Sequence, residues 1–292
     1  MKPDNAIRLA RLTRPIMRRR PPVLYRMCKW MLAACYPKGR PGASRQLVAP
    51  FDGGLIHVDT SSSIEYHLLF RGCHESAITD LIQKVVKPGY ICLDVGANVG
   101  AHTLVLAKAV GPEGRVIAFE PHPGICARLR ENVTLNNYAN VAIVEAALSD
   151  KDGVSPFFGF GDGAFHRGIS SLLPDEEATK RMEVRTASFS SVAKEERIDS
   201  CDFIKIDVEG FEAVVLKELD GLIERCRPYV IFEYRKRHWE KFGGLLDETL
   251  STFRSLGYTL QYIRKNRAHS LQGPVPDSCE IICEPERKEN HG

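Results

Sequence analysis

From residue 90 onward the chain alternates short apolar runs with stretches of helical spacing, and the first runs end at an acid. Tyr90–Val95, Arg115–Glu120 and Val141–Ala147 read as buried parallel strands, with the helical patterns His102–Ala109 and Gly124–Asn136 between them. That order is βαβαβ, half of a doubly wound sheet. Asp202–Asp207, the helix Phe211–Leu219, Tyr229–Tyr234 and the helix Leu245–Leu256 continue it, and Tyr258–Ile263 and Cys279–Cys283 close it. The predicted fold is α/β: a doubly wound, mostly parallel, seven-stranded Rossmann-like sheet with an N-terminal strand and helix extension.

In that extension, Gln46–Pro50 and Gly54–Asp59 read as strands around the turn Asp52-Gly53-Gly54, Glu65–Phe70 as a further strand, and Glu75–Val86 as a helix stopped by Lys87-Pro88-Gly89. Periodicity fails from Lys151 to Arg181, where Gly159, Gly161, Gly163 and Gly168 interleave with Phe157, Phe158, Phe160 and Phe165. This predicts an irregular insertion whose aromatic rings either cover an acceptor or plug the core beneath a loop. The predicted organisation is an arm over 1–45, strands and a helix packing on the core over 46–89, the main domain over 90–285 with 151–200 as a substrate-loop insertion, and a tail over 286–292.

With 292 residues and 43% hydrophobic content the chain can bury a sizeable core, and a formal charge of +3 gives no reason to expect a general nucleic-acid binder. The balance hides an asymmetry. Residues 1–45 carry twelve Lys or Arg against Asp4 alone, a net of +11, which leaves −8 for the rest. The apolar patch Val23–Tyr36 is interrupted by Arg26 and Lys29 and is too short to span a bilayer. A transit peptide, a polybasic membrane-surface contact, a partner-binding arm, and a loose terminus with one docking helix all fit this composition. No signal-peptide pattern stands out, so a cytoplasmic location is the default expectation. The nine cysteines are scattered without a C-x-x-C pair, and Cys279 and Cys283 have no neighbouring His or Cys to complete a zinc set. Reduced, buried thiols are expected.

The turn after the first core strand, Gly96-Ala97-Asn98-Val99-Gly100, presents backbone N–H groups and a helix N-terminus to any ligand there. It lacks the middle glycine by which dinucleotide folds approach a pyrophosphate, which argues against the alternative of an NAD(P)-dependent oxidoreductase. Asp94, just ahead of it, would repel a diphosphate but suits a cofactor bearing an ammonium and a sulfonium. Glu120 ends the second strand, where a carboxylate can accept both hydroxyls of a ribose. Both point to S-adenosylmethionine.

The succession Leu93-Asp94-Val95-Gly96-Ala97-Asn98-Val99-Gly100, Phe119-Glu120-Pro121, Ala147-Leu148-Ser149-Asp150 and Ile204-Lys205-Ile206-Asp207-Val208-Glu209-Gly210-Phe211-Glu212 resembles the FkbM family of methyltransferases. The flanking Gly72-Cys73-His74-Glu75 and Gly168-Ile169-Ser170-Ser171-Leu172 resemble it too. The resemblance implies S-adenosylmethionine-dependent O-methylation of a hydroxyl on a saccharide, glycolipid or secondary metabolite. By position it implies Asp94, Gly96, Asn98 and Gly100 on the methionine side, Glu120 at the ribose, and Ser149 and Asp150 at the adenine edge. Glu75, Ser170 and Ser171, with His166 in the insertion, fall on the acceptor side. One departure stands out: where the family often has Leu-Asp-Asp before the fourth strand, this chain has Ala187-Ser188-Phe189-Ser190-Ser191.

An alcohol must lose a proton as it is methylated, and a carboxylate within reach can take it. Strand alternation would put Lys205, Asp207 and Glu209 on one side of an extended chain, making them the catalytic candidates, with a structural Lys–Asp pair and a helix-capping Glu209 as the competing reading. Glu233, ending the fifth strand, is either a substrate contact or a salt-bridge partner of Arg235 or Arg237. Two carboxylates without a third ligand make no metal site, so no metal is expected. His74, His102 and His122 carry no assigned role. An inactive methyltransferase-like scaffold is the non-enzyme alternative.

Overall fold

The computed structural model describes residues 46–59, 63–159, 170–172, 180–241, 246–264 and 266–286, with single helical positions among the first 30. A hairpin of β1 (Gln46–Phe51) and β2 (Gly54–Asp59) precedes α1 (Ser63–Arg71) and α2 (Ser76–Val85). The core then runs β3 (Ile91–Val95), α3 (Thr103–Val110), β4 (Arg115–Phe119), α4 (Pro123–Leu135) and β5 (Val141–Val144). An insertion holds β6 (Ala147–Leu148), β7 (Gly153–Gly159), β8 (Ser170–Ser171) and β9 (Lys180–Ala187). After it come α5 (Phe189–Glu196), β10 (Phe203–Ile206), α6 (Glu212–Glu218), α7 (Asp220–Cys226), β11 (Tyr229–Arg235), α8 (Lys236–Lys241), α9 (Leu246–Ser255), β12 (Tyr258–Arg264), β13 (Arg267–Ser270) and β14 (Ser278–Pro285).

The main sheet has the order β13-β12-β14-β11-β10-β3-β4-β5. Its five strands from β5 to β11 are parallel, and β14 inserts antiparallel between β11 and β12. The chain winds from β3 outward to β5, then returns to lay β10 on the other side of β3. The carboxyl ends of β3 and β10 therefore flank the reversal point, where sheets of this kind open a crevice for a ligand.

Period-two alternation divides the buried side chains between two faces. Cys92, Val116, Ala118 and Phe203 pack under α2, α3 and the hairpin, while Leu93, Val95, Ile117, Phe119, Ile204 and Ile206 pack against α5, α6 and α7. Cys28 of the arm joins the first face. The eight described cysteines are free, and all but Cys226 are buried.

The sheet has eight strands, one more than expected, because Arg267–Ser270 folds back on β12 as an exposed edge hairpin with no apolar pattern to announce it. The expected strand Glu65–Phe70 is the helix α1. Its consecutive Leu68, Leu69 and Phe70 are all buried, and an apolar run that short has no period with which to distinguish strand from helix. Among its described residues the insertion is not irregular: β7 and β9 pair antiparallel from Gly153↔Thr186 to Gly159↔Lys180, inside a second, four-stranded sheet. Pro156 and the glycines hid that alternation.

Candidate active site

The register of β3 and β10 sets Lys205 directly beside Asp94, both pointing to the face under α3. Asp94 is fully buried. Its Oδ2 accepts from the Thr103 hydroxyl at 2.6 Å, and its Oδ1 lies 3.8 Å from Lys205 Nζ with no hydrogen-bond partner. Lys205 Nζ also donates to Asp207 Oδ2 at 3.2 Å. Burial pushes the Asp94 carboxyl up, and the ammonium of Lys205 opposes it. Burial also raises Asp207, but there the Lys205 charge and hydrogen bond win and hold it below the usual range. Lys205, 3% exposed, is desolvated but kept cationic by Asp207 and Asp94. It is a fixed positive charge with no capacity to accept a proton.

Next to this pair, Gly96, Asn98 and Gly100 take positive φ values of 86°, 51° and 93°. Gly96 is dictated by close approach, since a Cβ there would sit 1.8 Å from the Asp207 carbonyl oxygen. The turn is tied to β4 by Glu120: Asn98 N–H donates to its Oε2 and His122 N–H to its Oε1, each at 2.9 Å. Burial pushes the Glu120 carboxyl up to about 7, although both N–H groups favour its anion.

These elements bound a cavity of about 240 Å³. Gly96, Ala97, Asn98, Glu120 and Ile125 line one end, with Ala146, Ala147, Leu148 and Phe157 from the strands beyond. At the other end lie His74, Glu75, His102, Lys205, Asp207, Glu209, Glu233 and Arg235. Asp94 and Gly100 support the lining without joining it. Ser149 and Asp150, assigned to the adenine edge, are not among the lining residues either: Ser149 N–H donates to the Ala187 carbonyl and its hydroxyl to Asp150 Oδ1, and the preceding Ala146–Leu148 form that wall.

β10 ends at Ile206, so alternation does not carry through to Glu209, which sits at φ 52° in the left-handed region. Glu209 does not cap α6. It is held 3.1 Å from Arg235 NH1, and Glu233 Oε1 lies 2.8 Å from Arg235 NH2. One guanidinium thus serves two acids, so the sequence alternative of an Arg235 salt bridge to Glu233 is realised within the cavity. Burial, reinforced by Asp207, pushes both carboxyls up to about 8. The turn itself is closed by Glu212, whose Oε1 accepts from Val208 N–H at 3.1 Å and Gly210 N–H at 3.0 Å. Sequence reasoning gave Glu212 no role, although its place in the family motif was the signal.

His102 is a second unassigned group. It is buried, lines the cavity and is kept neutral by burial and by Lys205, with Nε2 3.9 Å from Glu75 Oε2. Ser170 and Ser171 are described only as backbone paired to β7, Leu172 after them lines the cavity, and His166 lies outside the described residues. Of the phenylalanines in the insertion, Phe157 lines the cavity, edge-on to the His122 ring. The Ser-rich departure before β10 makes a helix cap: Ser188 accepts from Ser191 N–H, and Asp152 accepts from Ser188 N–H at 2.8 Å and the Ser191 hydroxyl at 2.6 Å.

The donor set fits S-adenosylmethionine. A carboxylate with free lone pairs stands at the glycine turn, apolar walls follow, and at the far end Glu233 presents a buried, unpartnered oxygen to a cation or a donor. A family model described as the methyltransferase FkbM domain matches residues 94–260. Methyltransferase sdnD of Sordaria araneosa is 25% identical over 218 residues, 64% of this chain and 76% of that protein. The 31-O-demethyl-FK506 methyltransferase FkbM of Streptomyces tacrolimicus is 27% identical over 204 residues, 60% and 75% of the two chains. The 2-O-methyltransferase NoeI of Sinorhizobium fredii is 28% identical over 166 residues, 53% and 67%.

Proposed function

This chain belongs to the FkbM methyltransferase family, and from that premise we propose that it methylates a hydroxyl of a neutral, hydroxyl-rich acceptor such as a saccharide, a glycolipid or a secondary metabolite. S-adenosylmethionine, when bound, supplies a methyl group on a sulfonium. The observation that carries the reading is Glu120, a buried carboxylate whose two oxygens are aimed by the backbone of the glycine turn and of β4's end. Asn98 and the Gly96 turn hold the amino-acid side, Glu120 holds the ribose, and Ala146–Leu148 with Phe157 enclose the base. Ser149 and Asp150 support that wall from behind.

At the acceptor end, Glu75, Asp207, Glu209 and Glu233 face Lys205 and Arg235, an excess of two acids. With Glu209 and Glu233 pushed up to about 8, Glu75 and Asp207 offset Lys205 and Arg235, so no net positive charge draws an anionic acceptor, and a neutral polyol whose hydroxyls donate to the acids is favoured. Asp207, anchored to the fixed charge of Lys205, orients the acceptor. Glu209 takes the hydroxyl proton, because its higher proton affinity makes it the stronger base of the two. Ser170, Ser171 and His166 are assigned to the acceptor by their place in the sequence motif and the insertion, with His166 outside the described residues. Transfer of labelled methyl from S-adenosylmethionine to a panel of neutral, uronic and phosphorylated saccharides tests this. Turnover confined to the anionic sugars would overturn the acceptor class. Binding of S-adenosylhomocysteine with no turnover on any hydroxyl would return the scaffold reading.

A further inference from the structure

Val23, Leu24, Arg26, Met27, Cys28 and Trp30 are helical, and this short stretch is two-faced. Cys28 is buried and packs with the core under the hairpin and α2. Val23, Met27 and Trp30, spaced i, i+4, i+7 and so on one helix face, are 70%, 62% and 77% exposed. Arg26 flanks that face and is exposed as well. A large apolar stripe displayed to water on a helix docked from its other side costs hydration free energy unless something covers it.

The charge of the surroundings says what. The twelve Lys and Arg against Asp4 in residues 1–45 give this arm +11, whereas the other 247 residues sum to −8. These cations lie in the same 45 residues of the chain as the stripe, and a polyanion such as nucleic acid would use them but not the stripe. A bilayer interface with anionic headgroups uses both: it takes Trp, Met and Val to the depth of the acyl boundary while the guanidinium and ammonium groups stay among the headgroups. No helix among the described residues is long and apolar enough to cross a membrane, so the contact is in the plane of the surface. We propose that the face carrying Val23, Met27 and Trp30, together with the basic sequence of residues 1–45 to which it belongs, docks this protein on an anionic phospholipid surface.

The chain offers its own probe. It has two tryptophans, and Trp239 is 1% exposed, so a change in emission on binding reports Trp30. The full chain is mixed with vesicles of phosphatidylcholine alone or with phosphatidylserine added, and emission, access to an aqueous quencher and co-flotation are followed as salt is raised. On the phosphatidylserine vesicles Trp30 emission should move to the blue and become shielded, with binding that falls with salt. Met27→Glu and, separately, Arg26→Glu should weaken binding by about tenfold each, from lost insertion and reversed charge respectively. Neither should alter the melting temperature or S-adenosylhomocysteine binding. Folded protein that neither floats nor shifts on phosphatidylserine vesicles overturns the proposal. Equal binding to the neutral vesicles overturns it too, as does a blue shift that needs only higher protein concentration, which would assign the stripe to a second copy. If Met27→Glu binds the anionic vesicles as well as the unaltered chain, the arm is a general polyanion contact and the stripe has no part in it.

Discussion

Replacing Glu120 should separate what the site needs from what the fold needs. Ligand-free, the carboxyl sits at about 7 because it is buried, so ribose hydroxyls donating to the anion compete with a proton. Losing those charge-assisted hydrogen bonds in Glu120→Ala or Glu120→Gln should cost ~1.5–3 kcal/mol of S-adenosylhomocysteine affinity, about 10- to 150-fold. The linkage has a definite sign. Below a pH of about 7 binding must expel a proton, so affinity should rise with pH by up to about tenfold per unit, then level off above it; Glu120→Gln should lack that slope. For folding the same shift runs the other way. A carboxyl raised from 4.5 to about 7 contributes stability below 4.5 that is lost as pH climbs through 7, on the order of 3 kcal/mol. Glu120→Gln escapes that loss but turns an amide toward one of the two N–H groups, an offset of ~1–3 kcal/mol. The ligand-free variant should therefore melt close to the parent while binding poorly. Calorimetric titration at several pH values, in buffers of different ionisation enthalpy, reads all of this. A variant that keeps the pH slope, or loses less than ~0.5 kcal/mol of affinity, refutes the ribose assignment.

Glu209→Gln should lower kcat by about 100-fold or more, and the parent's kcat/KM should rise with pH through about 8 while the variant's stays flat; if His102→Asn abolishes the rise instead, the proton goes to the imidazole. Lys205→Met strands Asp94 and Asp207 in a dry site and should destabilise by ~3–5 kcal/mol, with Asp207→Asn restoring part of it in the double variant, all measured by denaturant unfolding. Gly96→Ala drives a Cβ into the Asp207 carbonyl and forces an L residue to φ 86°, so it should lose several kcal/mol of stability and most cofactor binding, ~3 kcal/mol or more by melting and titration. Because Glu120, Glu212, Glu209 and Glu233 are all raised, the ligand-free melting temperature should fall between pH 6 and pH 9, and S-adenosylhomocysteine should restore part of it; a rising melting temperature would contradict the buried-acid account.

The sequence disclosed those features that local chemistry imposes. The strands β3, β4, β10 and β11 are apolar runs flanked by turns, and the glycine turn with Asp94 and Glu120 at neighbouring strand ends is legible because spacing alone puts them at one edge. What stayed hidden depends on distant partners. Nothing near Ser188 reveals that Asp152, across the insertion sheet, completes its cap. That Arg235 serves Glu209 and Glu233 at once follows from the left-handed turn at Glu209, which alternation counted along β10 does not foresee. The surroundings of His102 likewise depend on distant residues, Glu75 from α2's entry lying 3.9 Å from its Nε2 and Lys205 from β10 adding to burial in keeping it neutral. The sheet of the insertion was lost because Pro156 and the glycines mask its period, though its register is continuous.

The acids at the ends of β3, β4, β10 and β11 are hard to explain as stabilising features. Glu120, Glu209 and Glu233 are each held above their ordinary proton affinity by burial, so near neutral pH the ligand-free fold gains nothing from their charge. Hydrophobic residues of similar size would serve the core better. Their placement makes sense when a ligand supplies what the protein withholds: hydroxyl donors at Glu120 and at the acids opposite. Lys205 is the exception that supports the argument. It sits in register with Asp94 and neutralises one acid permanently, which lets the β3–β10 junction fold while the remaining carboxylates stay dependent on what binds. A cavity arranged in this way couples cofactor binding to proton release and to stability through the same side chains, so substitutions that relax the ligand-free fold at this edge should weaken binding, and the two effects should be read together.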